Sequence, residues 1–175
     1  MRIAVQDANI LIDMMEGGFC DLWFALGIET HTTDHIIAEI TEPCQAVQIE
    51  TLVSSGKLGV DSFNVKEMGE VVSLRMGNED LTIQDCSVLK LAEQLDAMLL
   101  TGDKDLRRFA KTRRTEVHGT LWILDQLIDK QLLAPQQAAQ KLQELLNTKR
   151  RLPKHECQKR LSDWDKSKIE QEGMV

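Results

Sequence analysis

The run Ala97-Met98-Leu99-Leu100 constrains the fold more than any other stretch of the chain. Four consecutive apolar residues leave no polar face for water, so a strand made from them must be covered on both sides. Parallel strands joined by helices provide that covering. The flanking residues agree with this reading. Val88, Leu89, Leu91, Ala92 and Leu95 recur at helical spacing before the run, and Leu106, Phe109 and Ala110 do so after it. Thr101-Gly102-Asp103 closes the strand between them.

The same alternation runs through the rest of the chain. Arg2–Val5 is a short β-prone run, followed by a helical stripe at Ile10, Leu11, Met14 and Met15. A second stripe, Phe19, Leu22, Trp23 and Leu26, ends at Gly27. Glu29–Thr33 predicts a strand, Asp34–Ile40 a helical start, and Pro43 a restart leading to a helix over Ala46–Val53. Leu58–Val60 predicts a strand, Val65–Leu74 a helix, and Thr115–Val117 a short edge strand. Thr82 with Asp85 has the capping-box spacing, with Asp in place of the usual Glu or Gln. The stripe Leu121, Leu124, Leu127 and Ile128 follows, and Pro135 sits where a first helical turn accepts it, ahead of Gln136–Leu146. Strands separated by helices predict an α/β fold, a three-layer α/β/α sandwich with a mainly parallel central sheet.

Composition narrows the function. Aromatic residues are 4% of the chain and Tyr is absent, which argues against a stacking platform for bases. The formal net charge of −7 argues against a protein that coats nucleic acid, though not against one that acts on it. The start MRIAVQDAN lacks a signal-peptide pattern, and no apolar run approaches the ~20 residues of a membrane span, so a cytoplasmic, non-membrane protein is expected. Cys20, Cys44, Cys86 and Cys157 share no metal-binding spacing and read as free thiols.

Four carboxylates stand where a strand ends or a helix begins: Asp7, Glu39, Asp85 and Asp103. The carboxyl ends of parallel strands form the crevice in which α/β proteins bind ligands. Each acid also has a local explanation. Asp7 is placed to cap the helix starting near Asn9, Glu39 is an ordinary first-turn acid, and Asp85 favours the positive end of its helix. Of Asp103 and Asp105, one serves as a cap while the other is free to bind metal. If the acids converge they repel one another, and a divalent metal is the simplest group that would hold them together.

In order and separation these pieces resemble the PIN-domain family of metal-dependent ribonucleases, which includes the toxin nucleases of bacterial and archaeal toxin–antitoxin pairs. The matching stretches are IAVQDANILIDM, HIIAEI, LTIQDCSVLKLAEQLDAMLLTGDKDLRRFAK and EVHGTLWILDQLI. The resemblance covers roughly residues 1–146 and implies a PIN-like nuclease domain there, with residues 147–175 as a basic extension. It implies that Asp7, Glu39, Asp85 and Asp103 are the catalytic and metal-binding acids, with Asp105 auxiliary and Asn9 and Thr101 supporting. The chain departs from the pattern around Thr41, Glu42 and Pro43, which predicts that the helix carrying Glu39 is unusually short. It also continues nearly thirty residues beyond Leu146, so a toxin role does not follow from the resemblance.

Oxygen ligands of this kind suit Mg²⁺ or Mn²⁺ and hydrolysis of an RNA phosphodiester, with one ion or two. Glu39 has two open roles, binding metal or orienting water. From Thr101 to His118 six basic residues face three acids, a local charge of +3. Of these, Lys104, Arg107 and Arg108 are the candidate substrate contacts, and His118 reads as an ordinary turn histidine, with a substrate contact as the alternative. From Lys149 to Arg160 six basic residues face Glu156 alone, for +5. The tail, with Leu161, Trp164 and Ile169, is either a partner-binding helix or a terminal helix docked on the domain. The expected partners are an RNA substrate, a small antitoxin protein and a second copy of the chain. The competing functions are a catalytically silent PIN-like scaffold that binds RNA or protein, and a DNA nuclease.

Overall fold

The computed structural model describes residues 2–148 and 152–172, with side chains to Asp165 in the last helix. Lys149, Arg150 and Arg151 of the basic tail, and the side chain of Ile169, lie outside the described residues. The chain runs β1 (Ile3–Gln6), α1 (Ala8–Glu16), α2 (Cys20–Ala25), β2 (Glu29–Thr33), α3 (Asp34–Ile37), α4 (Pro43–Ser54) and β3 (Gly59–Asp61). It continues through α5 (Val65–Met76), α6 (Ile83–Gln94), β4 (Met98–Leu100), α7 (Lys104–Thr112) and β5 (Val117–His118). Three helices follow: α8 (Thr120–Asp129), α9 (Pro135–Leu146) and α10 (Lys154–Glu172).

The five strands are parallel and ordered β3-β2-β1-β4-β5. Helices α1, α2, α8 and α9 pack together as one layer, while α6 lies across β1, β2 and β4 and joins α5 and α7 in the other. The expected three-layer α/β/α sandwich is therefore present. Met98, Leu99 and Leu100 are all buried, as a central strand covered on both faces requires. No helix among the described residues is long and apolar enough to cross a membrane.

Of the boundaries that differ from the sequence expectation, three have an identifiable local reason. Helix α3 stops at Ile37 rather than Ile40, and the chain leaves it through short turns, Glu39 N–H to the Ile36 carbonyl and Ile40 N–H to the Ile37 carbonyl. Pro43 takes the first position of α4 instead of preceding a later start, because the Glu42 carboxylate accepts from the Cys44 and Gln45 N–H groups. Strand β5 pairs at Val117–His118 rather than from Thr115. Arg114 sits at φ +64° and Thr115 N–H still bonds the Ala110 carbonyl, so the turn ending α7 consumes residues that read as strand.

Chain order decides where ligands can reach. The chain leaves β1 toward β2 and β3, then returns to β4 on the opposite side, so the topology reverses between β1 and β4. At that switch point the carboxyl ends are level: Gln6 pairs with Leu100, Asp7 N–H donates to the Leu100 carbonyl at 3.0 Å, and Thr101 N–H donates to the His118 carbonyl at 3.0 Å.

Candidate active site

Asp7 lies at this switch point and is only 5% exposed. As N-cap of α1 it accepts from Ala8 N–H on Oδ1 at 2.7 Å. Its other oxygen accepts from the Thr101 hydroxyl at 2.7 Å and from the Asn9 side-chain amide. Thr101 in turn accepts from Asp103 N–H at 3.0 Å, and Asn9 Oδ1 accepts from Gly102 N–H at 2.7 Å. Asn9 and Thr101 therefore tie the loop after β1 to the loop after β4. Gly102 leaves room for this contact, since a Cβ there would stand 3.1 Å from Asn9 Oδ1. Arg107 reaches back from α7 to donate to the Thr101 carbonyl at 2.9 Å, and burial lowers its pKa.

Asp85 arrives from the other helical layer, at the third position of α6. Its Oδ2 accepts from the Thr82 N–H at 2.8 Å and from the Thr82 hydroxyl at 2.7 Å, forming the capping box that the spacing predicts. The α6 end is held over β2 by Ser87, whose hydroxyl meets Thr33 Oγ1 at 2.8 Å. Glu39 is exposed, just past α3. Asp103 caps α7, accepting on Oδ1 from Asp105 N–H at 2.9 Å and Leu106 N–H at 2.8 Å. Asp105 faces Arg108 at 3.0 Å.

Electrostatics shows which acids feel one another. Burial pushes the Asp7 pKa from 3.8 up to about 6; the charges of Asp85 and Glu39 add to the rise, while the Thr101 and Ala8 hydrogen bonds oppose it. Glu39 is raised as well, by partial burial and then by Asp85. Asp7, Asp85 and Glu39 thus share one electrostatic neighbourhood. Their oxygens are the donor type that Mg²⁺ or Mn²⁺ takes. Yet among the described residues no three His, Cys, Asp or Glu side chains form a group able to hold a metal ion. The donor chemistry fits such an ion, whereas the present side-chain spacing is not that of a formed site.

Lys104, Arg107 and Arg108 all line a cavity beside Thr101 and Gly102. Arg107 is engaged with the Thr101 carbonyl, and Arg108 also pairs with Asp80 at 3.1 Å. Two supporting interactions escape sequence reasoning. Ser87 was hidden in an apolar stripe, where a lone hydroxyl between Cys86 and Val88 is the available signal. Asp13, 4% exposed on α1, accepts from the Thr120 hydroxyl at 2.5 Å and fixes the start of α8. A charged residue on the buried face, beside Leu11 and Met14, is the clue to it.

A parallel α/β/α sandwich with carboxylates at its switch point defines a class of nuclease-associated folds. A family model described as DUF3368: PIN domain matches residues 3–166, and the chain belongs to the PIN-domain family. The chain is 31% identical over 126 residues to a protein named Endoribonuclease Nob1 from Methanocaldococcus jannaschii. That match covers 68% of this chain but 57% of the relative, so the chain spans little more than half of that protein. Among solved structures, PAE2754 from Pyrobaculum aerophilum superposes with a TM-score of 0.51 at 18% identity, covering 73% of this chain and 98% of that one. This likeness concerns the fold. A PilT N-terminus domain protein, SSO1118 from Sulfolobus solfataricus, gives a TM-score of 0.44 at 19% identity, covering 72% and 93%.

Proposed function

We propose that the chain is a Mg²⁺- or Mn²⁺-dependent endoribonuclease acting at the crevice between β1 and β4. The observation that carries this reading is the gathering of Asp7, Asp85 and Glu39 at the switch point, where burial first and neighbouring acid charge second raise Asp7 and Glu39. A buried carboxylate with like charges gathered around it at a ligand-binding edge is a mark of function rather than of stability. Similarity to a protein named an endoribonuclease supports RNA as the substrate.

Asp7, Asp85 and Glu39 would hold the ion, with Asp103 at the rim and Asp105 auxiliary. A divalent ion there would supply positive charge for the phosphate and for the leaving oxygen. The chain's own groups do the positioning. Thr101 and Asn9 fix the Asp7 carboxylate, and Arg107 fixes the Thr101 loop. Glu39, exposed and raised, is the group able to take a proton from an attacking water or to join the metal ligands. Lys104 and Arg108 line the approach for a phosphate backbone.

A second reading has its own observation. The absence of a three-ligand group among the described residues favours a PIN-like scaffold that binds RNA or protein without cutting. Cleavage of single-stranded RNA and DNA by the full chain in Mg²⁺, Mn²⁺ or chelator separates the readings, with Asp7→Asn and Asp103→Asn alongside after a check of folding. The expected result is metal-dependent RNA cleavage, lost in Asp7→Asn. Undiminished cleavage in chelator would remove the metal mechanism, RNA binding without cleavage would establish the scaffold, and cleavage of DNA alone would establish a DNA nuclease. A toxin role with a small antitoxin, in the cytoplasm and as a homodimer, is the family-based extension of this proposal. Equal growth with and without induction would count against the toxin role.

A further inference from the structure

Beside the acid crevice, α7, the turn from β5 into α8 and the start of α10 border a half-open cavity of about 900 Å³. Thr101 and Gly102 belong to its wall, so the cavity is continuous with the loop that holds Asp7. Three kinds of surface meet there. His118 and Trp122, both partly exposed, form an aromatic wall, with ring centroids 4.0 Å apart and planes 15° from parallel. Lys104 and Lys111 form a cationic side. Arg108 is answered by Asp80 and Asp105 and Arg160 by Asp125 and Glu156, but these two lysines have no ion pair among the described residues. Leu152 and Pro153 supply an apolar third wall from the C-terminal segment.

That third wall is anchored. Helix α10 packs along α9 and buries Cys157 and Trp164, while Arg160 forks onto the Asp125 carboxylate of α8, donating from Nε to Oδ1 at 3.1 Å and from Nη2 to Oδ2 at 2.8 Å. A bidentate arginine–carboxylate contact fixes orientation as well as distance.

We propose that this cavity receives one unpaired nucleotide of an RNA strand, flanking the phosphodiester presented to Asp7, and that the C-terminal segment is part of this substrate site. The direction of the strand rests on the ribonuclease reading above; the binding itself does not. An aromatic and apolar enclosure takes a nucleobase, and uncompensated lysines at its edge take the adjoining phosphate. A base in a duplex has both faces stacked and cannot enter, so the cavity selects single strands. The low aromatic content is consistent with this, since one aromatic pair serves a single base where an open platform would need several.

The test measures binding of a labelled single-stranded oligoribonucleotide, and of a blunt RNA duplex of the same sequence, to the full chain in chelator. Lys111→Glu and Leu152→Glu change accessible walls, Trp122→Leu changes the aromatic one, and Lys130→Glu, on the exposed end of α8, controls for net charge. The single strand should bind at least ~10-fold tighter than the duplex. The three cavity variants should weaken it roughly 5- to 100-fold, with the salt dependence of Lys111→Glu shallower by about one counterion. Lys130→Glu should match the parent except for a small uniform loss. Equal binding of duplex and single strand, or cavity variants that behave like Lys130→Glu, would overturn the inference. Should Trp122→Leu fail to fold, Lys111→Glu at an exposed position and Leu152→Glu at a partly buried one decide. Cavity-dependent binding without metal-dependent cleavage would sink the nuclease reading alone. Cleavage that needs Asp7 but ignores the cavity would sink this inference alone.

Discussion

Replacing Asp7 by Asn should make the protein more stable at neutral and alkaline pH and less stable in acid. The folded chain holds the Asp7 proton up to about pH 6, against an ordinary value of 3.8. That difference is worth ~3 kcal/mol against the charged carboxylate. Asp7 is nearly fully buried, so solvent does little to reduce it. Between these two values the folded state binds more protons than the unfolded state. Stability therefore falls as pH rises through the window and levels off above about pH 7. Asparagine carries no charge to be repelled by Asp85 and Glu39. It keeps an acceptor for Ala8 N–H, but its amide nitrogen cannot accept from Thr101 and Asn9, a loss of about 1–2 kcal/mol.

The two effects oppose one another, and pH decides which wins. Above about pH 7 the relief of a buried charge, and secondarily of its repulsion by Asp85 and Glu39, exceeds the lost hydrogen bonding, and Asp7→Asn should gain ~1–2 kcal/mol. Near pH 4 only the lost hydrogen bonding remains, and the variant should be less stable by a similar amount. Urea unfolding across this range, in chelator, should give stability curves that cross. Added Mg²⁺ should then stabilise the parent more than the variant, because a bound ion supports the folded state only where its ligands remain. Parallel curves, with the variant equally weaker at every pH, would refute the claim that the cost of a buried and repelled charge at Asp7 is uncompensated.

Thr101→Val removes a hydrogen bond that lowers the Asp7 pKa and an acceptor for Asp103 N–H, so the acid-side transition should move to higher pH; an unchanged transition would deny the hydroxyl this role. Thr120→Val deprives buried Asp13 of a donor and should cost about 1–3 kcal/mol in urea unfolding, with a loss below about 0.5 counting against the pair. At the opposite edge of the sheet, burial lowers His31, but hydrogen bonds to Asp61 and Glu29 raise it above 6.5 overall. The stability it contributes is present below that value and lost as pH rises through the folded one. His31→Gln should therefore lose more stability at about pH 6 than at about pH 8.5; an equal loss at both would show that the imidazolium contributes nothing.

The elements were legible wherever local sequence alone decides them. Consecutive apolar residues specify β4, Thr82 and Asp85 specify the start of α6, and Pro135 opens α9. Legibility failed where a turn used residues that read as part of an element, as Arg114 and Thr115 do before β5. It failed more seriously for contacts between distant segments. The Thr101 hydroxyl meets Asp7 across 94 positions, and Thr120 meets Asp13 across 107. Sequence pattern places Thr101 after a strand and Asp13 on a helix, but only the sheet order makes either pair neighbours. Helix α10 has a related difficulty. Its sequence displays Trp164, which the fold buries, but hides the fork of Arg160 on Asp125.

Capping and site chemistry, which read as alternatives for each acid in the sequence, are one arrangement in the fold. Asp7 caps α1, Asp85 completes the cap of α6, and Asp103 caps α7. The Thr101 hydroxyl links the first and last of these, and the charge of Asp85 reaches Asp7. Three helix N-termini are thus brought to the same edge of the sheet, each with its partial positive charge beside an acid. Those N–H groups allow carboxylates to gather before any cation arrives. They do not finish the task, since Asp7 stays raised to about 6 despite its hydrogen bonds. Glu39 shows the contrast. It follows the C-terminal end of a four-residue helix, has no N-terminal N–H groups to support it, and remains exposed. A cation entering this edge would therefore gain most at Asp7, whose charge burial and then the neighbouring acids disfavour, and would draw in Glu39 as the least committed acid.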